Sequence, residues 1–284
     1  MATQKNEKRP VPAPYAVLRP RRGWQSLDLG EIWQFRDLLL ALAMRDVKLR
    51  YRQTALGVVW VVLQPLIAAG IFAFVFGRVA RLASPGGSYF LFAYAGLMGW
   101  QAFHTTLTRA GTSLIQNASL ISRVYFPRLI LPLSVAFAAV IDAGVSLVLF
   151  LGLMRAQSVS LPVGFLTFPL WLGALVLLGA SIGLYAAAAM ARYRDVQYVL
   201  PVFSQFLLYA SPVGYATTAV PESARTIFLL NPLAGLLDAL RWSLLGSPAP
   251  HWPAVLYAVG VSLATFLCGM IAFRRLERNL ADVI

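Results

Sequence analysis

Arg19, Arg21 and Arg22 form a basic cluster that could hold phosphate. A guanidinium is a planar fork of donors that meets phosphate oxygens at two points. Two occupants suit such a cluster. One is the phosphate of a bound substrate; the other is the anionic headgroup layer of a membrane, which attracts any basic segment. The sequence leaves both open.

Groups able to react are scarce. A phosphate-binding loop needs Gly-Lys followed by Ser or Thr. The only lysines are Lys5, Lys8 and Lys48, and none follows a glycine, so ATP hydrolysis by that route is excluded for this chain. His104 and His251 stand alone, whereas a zinc site needs three or four ligands. Cys268 is the single cysteine, which rules out a disulfide within the chain and a cysteine-based metal site. Asp142 interrupts an apolar run. An intramembrane carboxylate marks function by default, but one carboxylate alone is a poor proton relay, and a paired structural acid is the favoured reading. No catalytic residue and no metal ligand is therefore assigned, and no cofactor is expected in this chain.

The elements that carry these residues are set by composition. Of 284 residues, 59% are hydrophobic and 12% charged, against roughly 25% charged in soluble domains. That is the composition of a membrane protein. The net charge of +13 is confined to the first 52 residues and to short clusters between apolar runs. Such placement fits cytoplasmic lipid headgroups and not nucleic acid. Residues 1–30 hold Pro10, Pro12, Pro14 and Pro20 among basic residues, with no apolar core of a signal peptide. The N-terminus is expected in the cytoplasm.

A membrane-crossing helix needs about 20 largely uncharged residues. Spans are expected near 57–78, 88–108, 132–154, 163–189, 197–216 and 252–273. With the N-terminus inside, the segments outside hold only Arg78, Arg81, Arg155, Arg225 and Arg241 of the 24 Lys and Arg. The positive-inside rule supports that orientation and a cytoplasmic C-terminus. Uncharged runs this long are unlike the short alternating strands of a membrane barrel. The expected fold is an all-α integral membrane protein with six transmembrane helices.

Between the spans, four segments stand out. Residues 1–30 read as a basic, Pro-rich cytoplasmic tail. Residues 31–52 read as an amphipathic helix in the membrane interface, with Ile32, Phe35, Leu39 and Leu42 on one face and Trp33 as an anchor. In the 109–131 loop, Asn117 or Ser119 is expected to cap a short helix through Leu120–Phe126, stopped by Pro127. Its Tyr125-Phe126 pair, bracketed by Arg123 and Arg128, suits docking onto a protein slightly better than onto lipid. Residues 217–251 are too apolar for a solvated loop and are broken by prolines. Asn231 caps a helix with Pro232 at its first position, ending near Gly246. Short re-entrant external helices between spans five and six follow.

Several strings then resemble one family. Arg45-Asp46-Val47-Lys48-Leu49-Arg50-Tyr51-Arg52-Gln53-Thr54-Ala55-Leu56-Gly57, with Trp60 and Leu63-Gln64-Pro65, resembles the start of the permease subunits of polysaccharide-exporting ATP-binding-cassette transporters. These are the O-antigen, capsular polysaccharide and teichoic acid exporters. Val124-Tyr125-Phe126-Pro127-Arg128 with Leu131-Pro132-Leu133-Ser134 resembles their first cytoplasmic loop. Tyr193-Arg194-Asp195-Val196, Pro201 and Ser211-Pro212-Val213 resemble their fifth span. Asn231-Pro232-Leu233-Ala234-Gly235 through Arg241-Trp242 resembles their external helices. Leu129 departs from the pattern, since relatives often carry an acid there.

The resemblance implies a type-2 exporter permease in the bacterial inner membrane, working as a homodimer with two separate ATPase subunits that bind ATP and Mg. It implies ATPase coupling through Arg123, Val124, Tyr125, Phe126, Pro127 and Arg128. Arg19, Arg21, Arg22, Arg50 and Arg52 would lie at the entry of a lipid pyrophosphate. The cargo would be a lipid-linked polysaccharide passing along spans one and five, past Trp60, Gln64, Phe74, Tyr198, Phe203, Phe206 and Tyr209. Aromatic rings can slide along the C–H faces of sugars, although such stripes also serve packing and headgroup belts. Two other classes stay open: export of a small molecule or lipid, and a membrane glycosyl or acyl transferase. The scattered acids disfavour the transferase.

Overall fold

The computed structural model describes residues 29–52, 57–82, 87–190, 192, 193 and 195–280. Every regular element among them is helical. Helices α1 (Leu29–Gln34) and α2 (Arg36–Arg52) are separated by a turn at Phe35. Helix α3 (Gly57–Phe72) contains Pro65 and continues as a π-helical stretch, Ala73–Val79. Helix α4 (Tyr89–Gln116) leads through Asn117 into the short α5 (Ala118–Ile121), and α6 (Ile130–Ala156) follows. A 3-10 turn at Val163–Thr167 runs into α7 (Phe168–Met190). Then come α8 (Val196–Tyr209), α9 (Glu222–Leu229), α10 (Pro232–Leu245) and α11 (Trp252–Leu280).

Each expected span overlaps one of these helices, but they differ in reach, and α4 continues to Gln116 through residues expected in the cytoplasmic loop after 108. Among the described residues, three segments are long and apolar enough to cross a membrane alone: Ile130–Ala156, Val163–Met190 and Trp252–Arg275. Helix α4 has the length, at 28 residues. Gln101, His104, Thr105, Thr106, Thr108 and Thr112 make its second half too polar to join that set. Helix α8 has only 14 residues. The span expected over 197–216 stops at Tyr209, because residues 210–216 leave the helix and bond to side chains from elsewhere.

The break between α9 and α10 bends the chain by 95°. Its second half starts as the sequence indicates. Asn231 accepts a hydrogen bond from the Leu233 N–H at 3.0 Å, with Pro232 in the first helical position. Gly246 ends α10 in the left-handed region at φ 62°, where a residue without Cβ carries no steric penalty.

The centre of the bundle is the α4–α7 pair. A Cβ on Gly179 would lie 2.5 Å from the Phe103 carbonyl oxygen, and one on Gly183 would lie 2.7 Å from the Ala110 Cβ. These two glycines, four residues apart, let two backbones meet, and close approach is what holds helices together in lipid. Helix α11 packs on the far side of α7, where Thr265 bonds the Ser181 hydroxyl at 3.2 Å. Helix α6 joins α4 through the Tyr94 hydroxyl, which donates to the Ser146 carbonyl, and through Tyr94 stacked on Phe150. Trp242 and Trp171 both contact Trp252, linking α7, α10 and α11.

A second apolar cluster closes the other end. Leu42, Leu114, Phe126, Leu129, Ile130, Leu131, Leu184, Met270 and Phe273 are buried together there. Ile32, Phe35, Leu38 and Leu39 pack against it. The apolar face expected of the N-terminal helix is thus turned toward α6. Trp33, Leu40, Met44 and Leu49 form its exposed apolar residues.

Candidate functional site

Helices α3 and α8 both pack on α4 and both present uncovered faces. On α3 and its π-helical extension, Gln64, Ile67, Ile71, Phe74 and Arg78 are exposed in sequence order. A spacing of three and four puts them on one stripe. On α8, Tyr198, Val202, Phe203, Gln205, Phe206 and Tyr209 are exposed, and Leu200 and Ser204 are buried. The expected channel aromatics Phe74, Tyr198, Phe203, Phe206 and Tyr209 therefore share uncovered faces rather than packing inside the chain. The side chain of Trp60 lies outside the described residues, as do those of Arg50 and Arg52. Arg19, Arg21 and Arg22 lie outside them entirely.

The candidate docking segment differs from the helix expected over Leu120–Phe126. Helix α5 ends at Ile121, and Arg123 to Pro127 run as an irregular strip. Asn117 does not cap it with its side chain. Its amide instead donates to the Ser113 carbonyl at 2.9 Å and accepts from Arg45 of α2 at 2.9 Å. The physical reason for the strip lies in the aromatic pair, whose two rings take opposite environments. Phe126 is 5% exposed within the second cluster, with Pro127 buried beside it, while Tyr125 is 66% exposed next to exposed Val124 and Arg123. A continuing helix would place adjacent residues about 100° apart. The irregular strip lets Tyr125 project and Phe126 root. Arg128 is half-buried.

Sequence reasoning missed the side chain that organises the other end. Arg241 of α10, grouped with the external charges, is 1% exposed. Its guanidinium donates to the carbonyls of Val213 at 2.6 Å, Phe92 at 3.4 Å and Tyr215 at 3.5 Å. It sits 4.0 Å over the Phe92 ring and 3.8 Å from the Asp238 carboxylate. The Tyr89 hydroxyl donates to the Gly214 carbonyl at 2.6 Å. The Asn231 amide donates to the Ala210 carbonyl at 3.0 Å. Non-helical backbone inside a membrane protein persists only where its polar groups find partners. Three side chains supply them for residues 210–215. The available signal was the Asp238/Arg241 pair, one turn apart and the only charges between Arg225 and Arg274.

A family model described as ABC-2 type transporter matches residues 37–245. The chain is similar to an O-antigen export system permease protein, RfbA, of Klebsiella pneumoniae, 29% identical over 257 residues covering 87% of this chain and 95% of that protein. It is similar to the RfbA permease of Myxococcus xanthus, 26% identical over 256 residues, 89% of this chain and 98% of that protein. It is also similar to the polysialic acid transport protein KpsM of Escherichia coli, 23% identical over 242 residues, 84% of this chain and 92% of that protein.

Proposed function

This chain belongs to the ABC-2 type transporter family, and from that premise we propose that it exports a lipid-linked polysaccharide across a bacterial inner membrane as a homodimer with two ATPase subunits. As a family member it is a multi-pass transport subunit, and the ATPase of such a system is a separate protein. The absence of a Gly-Lys-Ser/Thr loop from the chain agrees. One observation carries the cargo class: nearly full-length similarity to permeases of O-antigen and polysialic acid export. In this reading α3, α4, α6, α7, α8 and α11 are six spans, both termini are cytoplasmic, and ATP and its magnesium belong to the ATPase.

The uncovered faces fit that work. A sugar chain carries hydroxyls at its edges and C–H groups above and below its rings. Tyr198, Phe203, Phe206 and Tyr209 on α8, with Trp60, Gln64 and Phe74 on α3, would give it surfaces to pass without a fixed hydrogen-bond pattern. The reading is tested by purifying the chain with its ATPase and reconstituting the complex in vesicles. Hydrolysis stimulated by the lipid-linked glycan is expected; a stable, active protein with no ATPase subunit would refute it.

The coupling strip divides into contact and anchor. Tyr125, with Val124, Arg123 and Arg128, would meet the ATPase, while Phe126 and Pro127 hold the strip to the bundle. Exposed aromatics of this kind dominate interface energies. Tyr125→Ala is expected to weaken retention of the ATPase about tenfold without lowering the thermal stability of the permease, and Phe126→Ala to lower that stability. Co-purification and melting of the two variants check this; equal ATPase retention by Tyr125→Ala contradicts it.

Arg19, Arg21 and Arg22, with Arg50 and Arg52, are proposed to bind the lipid pyrophosphate at its entry. Replacing the first three by Gln should then reduce export more than it reduces the protein's level in the membrane. Equal loss of both would mean simple attraction to anionic lipid.

A further inference from the structure

Helix α4 carries a polar stripe that nothing above uses. Gln101, Thr105, Thr108 and Thr112 follow spacings of four, three and four, so they share one face. Gln101 is exposed and the three threonines are half-buried. The buried face of α4 toward α7, marked by Phe103, Leu107, Ala110 and Leu114, lies on the opposite side. In a bilayer a polar row of this kind is costly against lipid, and such rows face the bundle interior or water.

The hydrogen bonds define what the stripe offers. The Thr108 hydroxyl donates to the His104 carbonyl at 2.8 Å, and the Thr112 hydroxyl donates to the Thr108 carbonyl at 3.1 Å. The Gln101 amide donates to the Thr105 hydroxyl oxygen at 3.0 Å. A hydroxyl has one proton and two lone pairs. At Thr108 and Thr112 back-bonding to the preceding turn uses the proton, so lone pairs are what remains, while Thr105 accepts from Gln101 and keeps its own proton. His104 Nδ1, one turn from Thr108, is buried with no hydrogen-bond partner among the described residues.

Resting on the export reading above, we propose that this face of α4 is a hydrogen-bond-accepting ledge for the hydroxyl groups of the polysaccharide, separate from the aromatic faces of α3 and α8. It runs about 16 Å along the helix axis. The lone pairs of Thr108 and Thr112 match O–H donors and repel phosphate oxygens, and the free protons of Gln101 and Thr105 can meet sugar oxygens, so the row takes the sugar portion of the cargo and not its pyrophosphate. A second copy of the chain is the weaker occupant. Helix contacts in membranes favour small residues, and α4 turns Gly96, Gly99, Ala110 and Gly111 to its other, buried faces.

The test begins with the full-length protein, bound to its ATPase in membranes, in which Cys268 is replaced by Ser. Thr108→Cys is expected to react with a charged, membrane-impermeant maleimide, whereas Val148→Cys on the exposed face of α6 reacts only with a lipid-soluble one. Thr108→Cys labelled only by the lipid-soluble reagent, or by neither, overturns the proposal. In host cells the triple variant Thr105→Val, Thr108→Val, Thr112→Val should slow appearance of glycan at the surface roughly five- to tenfold. Its membrane level should not change, and Ser at all three positions should restore the rate. A valine variant exporting at the wild-type rate also overturns it. If deleting the whole gene leaves surface glycan unchanged, the export reading itself falls, while the charged-reagent result at Thr108 still stands.

Discussion

Gly179→Leu is expected to leave almost no folded protein in the membrane, and even Gly179→Ala should lower stability by about 3 kcal/mol. The added Cβ would sit 2.5 Å from the Phe103 carbonyl oxygen and 3.1 Å from the Thr106 Cβ. The first neighbour is backbone inside a helix, so it cannot swing aside as a side-chain tip would. The pair must separate instead, which loosens the contact around which α6, α10 and α11 assemble. Gly173, in the same helix, is the control. A Cβ there meets nothing within 4 Å, and Ala should be neutral or stabilise by up to about 1 kcal/mol through helix propensity. Thermal melting in detergent, followed by loss of the monodisperse chromatographic peak, separates the two. Gly179→Ala melting with wild type would show that the α4–α7 contact is looser than described.

Arg241→Met should be nearly as damaging, at about 3 kcal/mol, through loss of partners rather than collision. Methionine fills similar space but leaves the non-helical carbonyls of Val213 and Tyr215 without a donor and Asp238 without its cation, and removes the second donor of the Phe92 helix carbonyl. Gly96 offers an independent check. A Cβ at Gly96 would run into the Arg241 guanidinium and the Val213 carbonyl, so Gly96→Ala is expected to destabilise by a similar amount. The two changes should be less than additive, since part of the obstacle to the added methyl group vanishes with the guanidinium. A double-mutant cycle measures the coupling. Full additivity would show that Gly96 and Arg241 act apart.

Helix positions were legible because each apolar run is bounded by charge or proline. The start and stop of α10 were legible too, since Asn231, Pro232 and Gly246 act through their own local chemistry. What stayed hidden depends on partners far along the chain. Nothing local to residues 210–216 says that Arg241 will hold their carbonyls, so the fifth span looked longer than α8 is. The strip at Arg123–Phe126 was hidden for the same reason: Phe126 is drawn into a cluster built from α2, α4, α6, α7 and α11. Charge counting placed Arg241 with the external arginines because it registers sign and not burial. The Gln101–Thr112 stripe had a readable period, but Arg109 interrupts it, and the expected span ended at 108 with Thr112 assigned to the following loop.

The rooting of Phe126 has a mechanical consequence. Well-packed interiors compress little and transmit strain. A displacement imposed at Tyr125 reaches its neighbour Phe126 directly, and from there the ends of α4, α7 and α11 and the N-terminal helix together. The strip works as a short handle on a stiff block, not as a cord tied to one helix. Helix α3, which touches that block chiefly through α4, and helix α8, which touches it through α4 and α7 alike, are then the parts free to change their angle when the handle turns.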